Sequence, residues 1–503
     1  MFDGLFNVPD DRVRWNLGKG VENMADTQVS DHAVEERRGI RQTAPFILSA
    51  LSGGHGIFHW FSQSFFVMLP AVVATFGLSG LQVGAISTTR EVVSGVVALP
   101  GGVVTDMLRR HWGLVLAGCM ALFGVGWLIM GIAPVYPVLL LGMGVVAMAA
   151  SMWHLPATAA LSHQFAHRRG SALSFHGVGG NIGDVLGPAL TGGLLLVLSW
   201  RGILSIYAVV PLLLTFVVFW AFRDIGKTGP QATAAQGFNE QMGQTWQSFK
   251  AHPRLWGIMT VAGIRGMAHV AFLPFLALYL GLETQLGMSK PSLGLHFALL
   301  VGVGIVSTPV MGYLSDRVGR KIVLIPGMLG LAVLTALLVP FGEGIGLIVV
   351  IALLGIFLFS DQPILTAGAL DTIGEGVVAS TLGVFSFSRF ALAAASPLIA
   401  GYLFDSNGIE STFIYIAILY VVASVILLAV PMGAPRHSAG DGHHGHGGGH
   451  GHGHDAHEEG QDDHGHGHAH DEEQGHHGHG HGHDEEQGHH GHGHGDEEEH
   501  GHH

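Results

Sequence analysis

Met311-Gly312-Tyr313-Leu314-Ser315-Asp316-Arg317-Val318-Gly319-Arg320-Lys321 is a charged turn set between two long apolar runs, 291–314 and 321–341. Four of its eleven residues are charged, in a chain where charged residues make up only 12%. A soluble protein carries about 25%. Each flanking run reaches the ~20 residues that a helix needs to cross a bilayer. Backbone polar groups in lipid must pair within their own segment, so such a run is a helix. Gly312 permits close helix approach. Asp316 and Arg320 stand four apart and can pair across the turn, a contact able to break and remake.

Working outward, twelve apolar stretches run near 45–70, 82–105, 113–132, 136–161, 171–198, 202–222, 255–281, 291–314, 321–341, 345–370, 378–404 and 411–431. Basic residues punctuate alternate turns: Arg109 and Arg110, Arg168 and Arg169, then Arg317, Arg320 and Lys321. The link between the sixth and seventh stretches adds Arg223, Lys227, Lys250 and Arg254, while the opposite turns hold little beyond Arg201 and Lys290. Positive charge stays on the cytoplasmic side, so both termini are expected in the cytoplasm and the chain in the inner (plasma) membrane.

The chain repeats itself. At an offset of 210, Gly56 falls on Gly266, His59 on His269, Gly77 on Gly287, Ser79 on Ser289 and Gly84 on Gly294. Gly102 falls on Gly312, Asp106 on Asp316 and Arg110 on Arg320; one residue out of register, Pro188 meets Pro397. An even number of spans per half keeps the two halves parallel, which is the repeat of a two-bundle carrier with its cavity between the halves. The expected fold is an all-α membrane protein of twelve transmembrane helices in two pseudo-symmetric six-helix bundles. The expected division is a terminal tail 1–43, a bundle 44–223, a linker 224–254, a bundle 255–432 and a disordered tail 433–503. Residues 1–43 lack the basic start and apolar core of a signal peptide, and Met24, followed by Ala25-Asp26-Thr27, offers an alternative start. The lone cysteine, Cys119, lies in an apolar run and reads as a small core residue.

Three motifs carry a resemblance. The Met311–Lys321 turn, with its degenerate copy from Gly102 through Asp106 to Arg110, resembles the signature loop of the major facilitator superfamily. Gly179, Gly183 and Gly187 followed by Pro188 resemble the motif of facilitator antiporters, although Thr191 interrupts it. Trp153-His154-Leu155-Pro156 and Phe175-His176-Gly177-Val178-Gly179-Gly180-Asn181 look most like the fosmidomycin-resistance efflux branch. Leu155 and Ala157 depart from that branch's His-Pro-acid run. The resemblance implies a twelve-helix carrier working by alternating access and exporting a solute against protons. In physical terms, the glycine stripe lets a neighbouring helix approach and the proline bends its helix.

Ionisable residues inside spans are costly and usually face a cavity. His55 and His59 share one helix face, as do their repeat mates Arg265 and His269. Arg90, Glu91, His154, His176, Asp184, Asp361 and Arg389 complete the set. Glu91, Asp184 and Asp361 are the candidate proton carriers, since a carboxyl group held in a membrane cavity suits reversible protonation. The histidines could bind protons, substrate or metal, and structural pairing, such as Glu91 with an arginine, is the plainer alternative.

The last 67 residues hold 24 of the 35 histidines and no Lys or Arg. They also hold 16 of the 37 acidic residues, so the net charge of −14 belongs to the tail and the remainder is near neutral. Imidazole suits Ni²⁺, Co²⁺ and Zn²⁺ near neutral pH. The candidate ligands are His443, His444, His446, His450, His452, His454, His464, His466, His468, His470, His476, His477, His479, His481, His483, His489, His490, His492 and His494. The composition cannot bury a core, and the tract resembles the histidine-rich C-termini of nickel-resistance exporters. It could serve export as a buffer or sensor, bind metal without feeding the pore, or be low-complexity drift.

The expected function is therefore proton-coupled efflux of a small toxic solute or a divalent transition metal by a monomer in the lipid bilayer. The alternatives are a metal sensor or buffer on a carrier scaffold, and a drug exporter whose tail is incidental. No cofactor is required beyond tail-bound metal, no nucleic-acid partner is implied, and no nucleotide loop or catalytic triad order points to an enzyme.

Overall fold

The computed structural model describes residues 39–165, 168–227, 253–372 and 392–432, with isolated positions 243, 247, 250 and 390. The histidine tract, Arg389 and residues 378–389 and 391 of the stretch at 378–404 lie outside the described residues, as do the side chain of Asp106 and that of every candidate tail ligand. The described residues are helical, with no strand among them.

The helices are α1 (Ala44–Phe76), α2 (Gly80–Met107), α3 (Trp112–Ile132), α4 (Tyr136–Gln164), α5 (Arg169–Leu194) and α6 (Trp200–Phe222) in the first half. The second half has α7 (Pro253–Gly281), α8 (Lys290–Val318), α9 (Arg320–Leu337), α10 (Gly344–Leu358), α11 (Asp361–Thr372) and α12 (Ser396–Ala429). Nine stretches among the described residues are long and apolar enough to cross a membrane. Helices α2 and α5 have the length but are richer in glycine and polar residues.

One boundary differs from the sequence reading, and another, between the eleventh and twelfth stretches, falls where that reading put it. The tenth stretch, expected as one run over 345–370, breaks at Phe359 and Ser360 into α10 and α11. Ser360-Asp361-Gln362-Pro363 stand at the break, but the apolar residues on either side keep the average hydropathy high across it. Helix α12 bends at Gly408, whose φ of 83° belongs to the left-handed region that glycine enters without penalty. Thr412 Oγ1 donates to the Ala400 carbonyl at 3.2 Å, and the hydroxyls of Ser396 and Tyr415 lie 3.0 Å apart. Nineteen residues of straight helix would separate the latter by about 28 Å. The segment is therefore a hairpin, its arms ending the eleventh crossing and forming the twelfth.

Local signals define the ends that repeat. Gly77 closes α1 at φ 61°, and its mate Gly287 follows α7 at φ 55°. Ser79 Oγ accepts from Gln82 N, and Gln82 Oε1 accepts from Ser79 N, a reciprocal cap that starts α2. Its mate Ser289 caps α8 by accepting from Ser292 N.

The halves meet along two equivalent seams. A Cβ on Gly84 of α2 would collide with the Pro397 carbonyl of α12, and one on Gly294 of α8 with the Pro188 carbonyl of α5. Gly80 packs on Gly401, and Gly192 packs on Lys290 in the same relation. Among the described residues, both seams include the end remote from the basic turns. A polar contact closes each. Asp405 accepts from the Gly80 and Leu81 amides at 2.6 and 2.9 Å, capping α2 from the other half. Lys290 Nζ donates to the Leu195 carbonyl at 3.1 Å, at the end of α5. Acid at a helix N-terminus and base at a C-terminus both complement the helix dipole.

Candidate functional site

The glycines of α5 build the polar centre of the first half. A Cβ on Gly179 would strike the Ser52 carbonyl, one on Gly183 the Gly56 carbonyl, and one on Gly187 the Trp60 carbonyl. A side chain at Gly180 would meet the His55 ring, and one at Gly54 the Trp153 ring. Helix α1 therefore lies backbone against backbone on α5. Side chains flanking the stripe are pressed together as a result.

Four imidazoles and one carboxylate converge there. The His55 ring stacks on His176 with centroids 4.2 Å apart and meets His59 and His154 edge-on at 4.4 and 4.9 Å. The Nδ1–H of His55 donates to the His176 carbonyl at 2.9 Å. A carbonyl can only accept, so that nitrogen carries a proton, and in the neutral ring Nε2 keeps the lone pair. The Nδ1–H of His59 donates to Asp184, lying 2.9 and 3.0 Å from its two carboxylate oxygens. Neither ring nitrogen of His176 has a hydrogen-bond partner, although the residue is only 3% exposed. His59 keeps 34% of its side chain exposed, and Asp184 keeps 13%.

The second half places a different centre at the repeat-related positions. Arg265, mate of His55, is buried and donates through Nε to Asp361 at 2.6 Å and through Nη2 to the Leu358 carbonyl at 2.7 Å. The same guanidinium reaches Gln362 at 3.4 Å and His269, mate of His59, at 3.3 Å. Asp361 sits at the first turn of α11, so the α10–α11 break delivers it to α7. Arg90 and Glu91 are half-buried on α2, and no ion pair joins them to each other or to another described residue.

At the basic turn, Arg320 pairs with Asp316 four residues back, and Gly319 makes the turn at φ 106°. Arg320 also donates to Asp371 at 3.0 Å and to Ser315 at 2.8 Å. Arg317 lies over the Tyr313 ring at 4.6 Å, and Gly312 faces open space. In the first-half copy Arg110 is exposed in a short 3-10 turn; Gly102 and Asp106 lie within α2. Asp371, Gln362 and Asp405 are absent from the sequence-derived set. Each is one polar residue near a helix end, indistinguishable by spacing from an ordinary loop residue. A cavity of about 350 Å³, lined by residues including Arg41, Trp112 and Gln164, opens on the basic side of the first half and shares no residue with either polar centre.

The model of the Major Facilitator Superfamily matches residues 51–284 and 275–451. The chain is 24% identical to the fosmidomycin resistance protein of Escherichia coli (strain K12), over 73% of this chain and 88% of that protein. It is also 24% identical to the uncharacterized MFS-type transporter YfnC of Bacillus subtilis (strain 168), over 74% and 91%. Among solved structures, a D-xylose-proton symporter superposes with a TM-score of 0.62 at 15% identity, covering 77% of this chain and 98% of that one. That likeness is one of fold.

Proposed function

The chain belongs to the Major Facilitator Superfamily, and we propose that it exports a small toxic solute or a divalent transition metal in exchange for protons. One observation carries the coupling: His59 and Asp184 share a hydrogen bond on α1 and α5 and remain partly exposed inside the membrane. Helix α1 is among the more buried spans, and His59 packs against His55, His154 and Asp184, which supports an interior rather than a lipid-facing position. An imidazole–carboxylate pair there can take up and release one proton without leaving a bare charge in lipid. The glycine-lined seams provide the moving part, since backbone contacts without interlocked side chains can part as the halves tilt. Positive charge at the turns supports a cytoplasmic basic side. The seams then close the far side, opposite the face from which an exporter loads.

The similarity to a fosmidomycin resistance protein supports an organic cargo, and the histidine tract supports a metal. The test uses inside-out vesicles carrying the full chain, with proton release followed on adding Ni²⁺, Co²⁺, Zn²⁺ or fosmidomycin. Release that Asp184→Asn abolishes is the expected result. Release equal in Asp184→Asn and the parent would remove the pair from the mechanism, and no release with any cargo would remove proton-coupled export.

A further inference from the structure

Resting on the transport reading above and deepening it, we propose that His55, His59 and His154 form an intramembrane site for a divalent transition-metal ion, so that the bundle itself recognises metal independently of the tail. A ring nitrogen from each can be chosen so that all lie within 4.8 Å of one another. Tetrahedral ligands about 2.0–2.1 Å from a metal stand about 3.3 Å apart, so modest side-chain rotations close the site.

The surroundings match what a metal-bound imidazole needs. Such a ring donates its other N–H to a carboxylate or a backbone carbonyl, which fixes the tautomer and the ring orientation. His59 does the first through Asp184, and His55 does the second through the His176 carbonyl. In the neutral ring, the form that binds metal, both therefore keep the Nε2 lone pair for an ion. The His176 ring supplies an independent observation. It is a buried imidazole stacked on His55, and neither of its nitrogens is hydrogen-bonded. A buried polar group without a partner costs free energy, and such an orphan beside the cluster marks a place for an ion or water.

Charge and ligand number also fit a cargo rather than a structural ion. Three neutral imidazoles and one outer carboxylate leave a dication with a single net positive charge. Three ligands keep a coordination position open, whereas closed four-ligand sites hold structural zinc. His59, with about a third of its side chain exposed, gives the ion its way in and out. Imidazole selects Zn²⁺, Ni²⁺, Co²⁺ or Cu²⁺ over Mg²⁺ and Ca²⁺, which prefer oxygen.

The test uses the purified full chain in lipid nanodiscs with no gradient, so it reads binding and not transport. Diethylpyrocarbonate acylates an unprotonated imidazole nitrogen, which on His59 is Nε2. Peptide mass mapping separates His59 from the tail histidines. Zn²⁺ or Ni²⁺ should slow His59 labelling about tenfold, and Mg²⁺ should leave it unchanged. His154→Ala should raise the metal concentration needed for protection by at least about tenfold. Protection of the tail with unchanged labelling of His59 in the parent chain would overturn the site, as would equal protection by Mg²⁺. Vesicle proton flux is measured separately, so drug-driven flux without His59 protection would sink this site alone. Protection without flux from any cargo would keep the site and sink the transport reading.

Discussion

Asp184 sits opposite His59 as its carboxylate partner among the described residues, and it fixes which imidazole nitrogen donates. Asp184→Asn keeps the shape but removes the charge and the obligate acceptor. Metal affinity at His59 should fall about 10–100-fold, as for other losses of a partner behind a metal-bound histidine, read by the labelling titration. Arg265 presents the opposite case, a buried charge whose partners are all in place. Arg265→Ala strands Asp361 and should destabilise the protein by about 3–5 kcal/mol in thermal unfolding. Arg265→Ala combined with Asp361→Ala should lose less than Arg265→Ala alone. An additive loss would mean that the two side chains do not act as a pair.

At the scale of helices, the α1–α5 contact depends on where each glycine points. Gly183→Ala drives a methyl group into the Gly56 carbonyl, whereas Gly177 on the same helix faces open space. Gly183→Ala should cost about 1–3 kcal/mol through overpacking. Gly177→Ala should be neutral or stabilising by up to about 1 kcal/mol. Thermal unfolding of the two variants separates packing from propensity, and equal effects would dismiss the stripe as a packing device. Asp405 acts between elements. Losing its cap on α2 removes about 1 kcal/mol, which favours the parted seam about fivefold. Thr88 lies in that seam, its hydroxyl donating to the Ala394 carbonyl at 2.6 Å. In a Thr88→Cys background, Asp405→Ala should speed thiol labelling by that factor, while unchanged labelling would leave the cap without a gating role.

The whole molecule joins a helical body to a histidine tract that it need not fold with. Truncation after Arg436 should reduce metal-stimulated proton release at low metal concentration and leave a fosmidomycin response intact. Metal binding by the tract should weaken below about pH 6, where imidazoles take up protons. Retention of the full metal response on truncation would make the tract incidental to flux. The helices were legible because an apolar run in lipid has no other way to satisfy its backbone. The repeat was legible because Gly77, Gly287, Ser79 and Ser289 end or start helices by local geometry. The Asp316–Arg320 pair was legible because both residues belong to one turn. The break at Phe359 and Ser360 had a local signal in Ser360, Asp361 and Pro363, masked by the long apolar runs on either side. Nor does any spacing say that His154 of α4 and His176 of α5 meet His55 of α1, or that Asp371 and Asp405 reach Arg320 and α2. By itself the sequence determined the spans, their two-fold relation and the list of polar residues placed in the membrane, since period, length and caps act over a few residues. Only the tertiary structure decided which of those residues touch, because that depends on backbones brought together by glycines far apart in the chain.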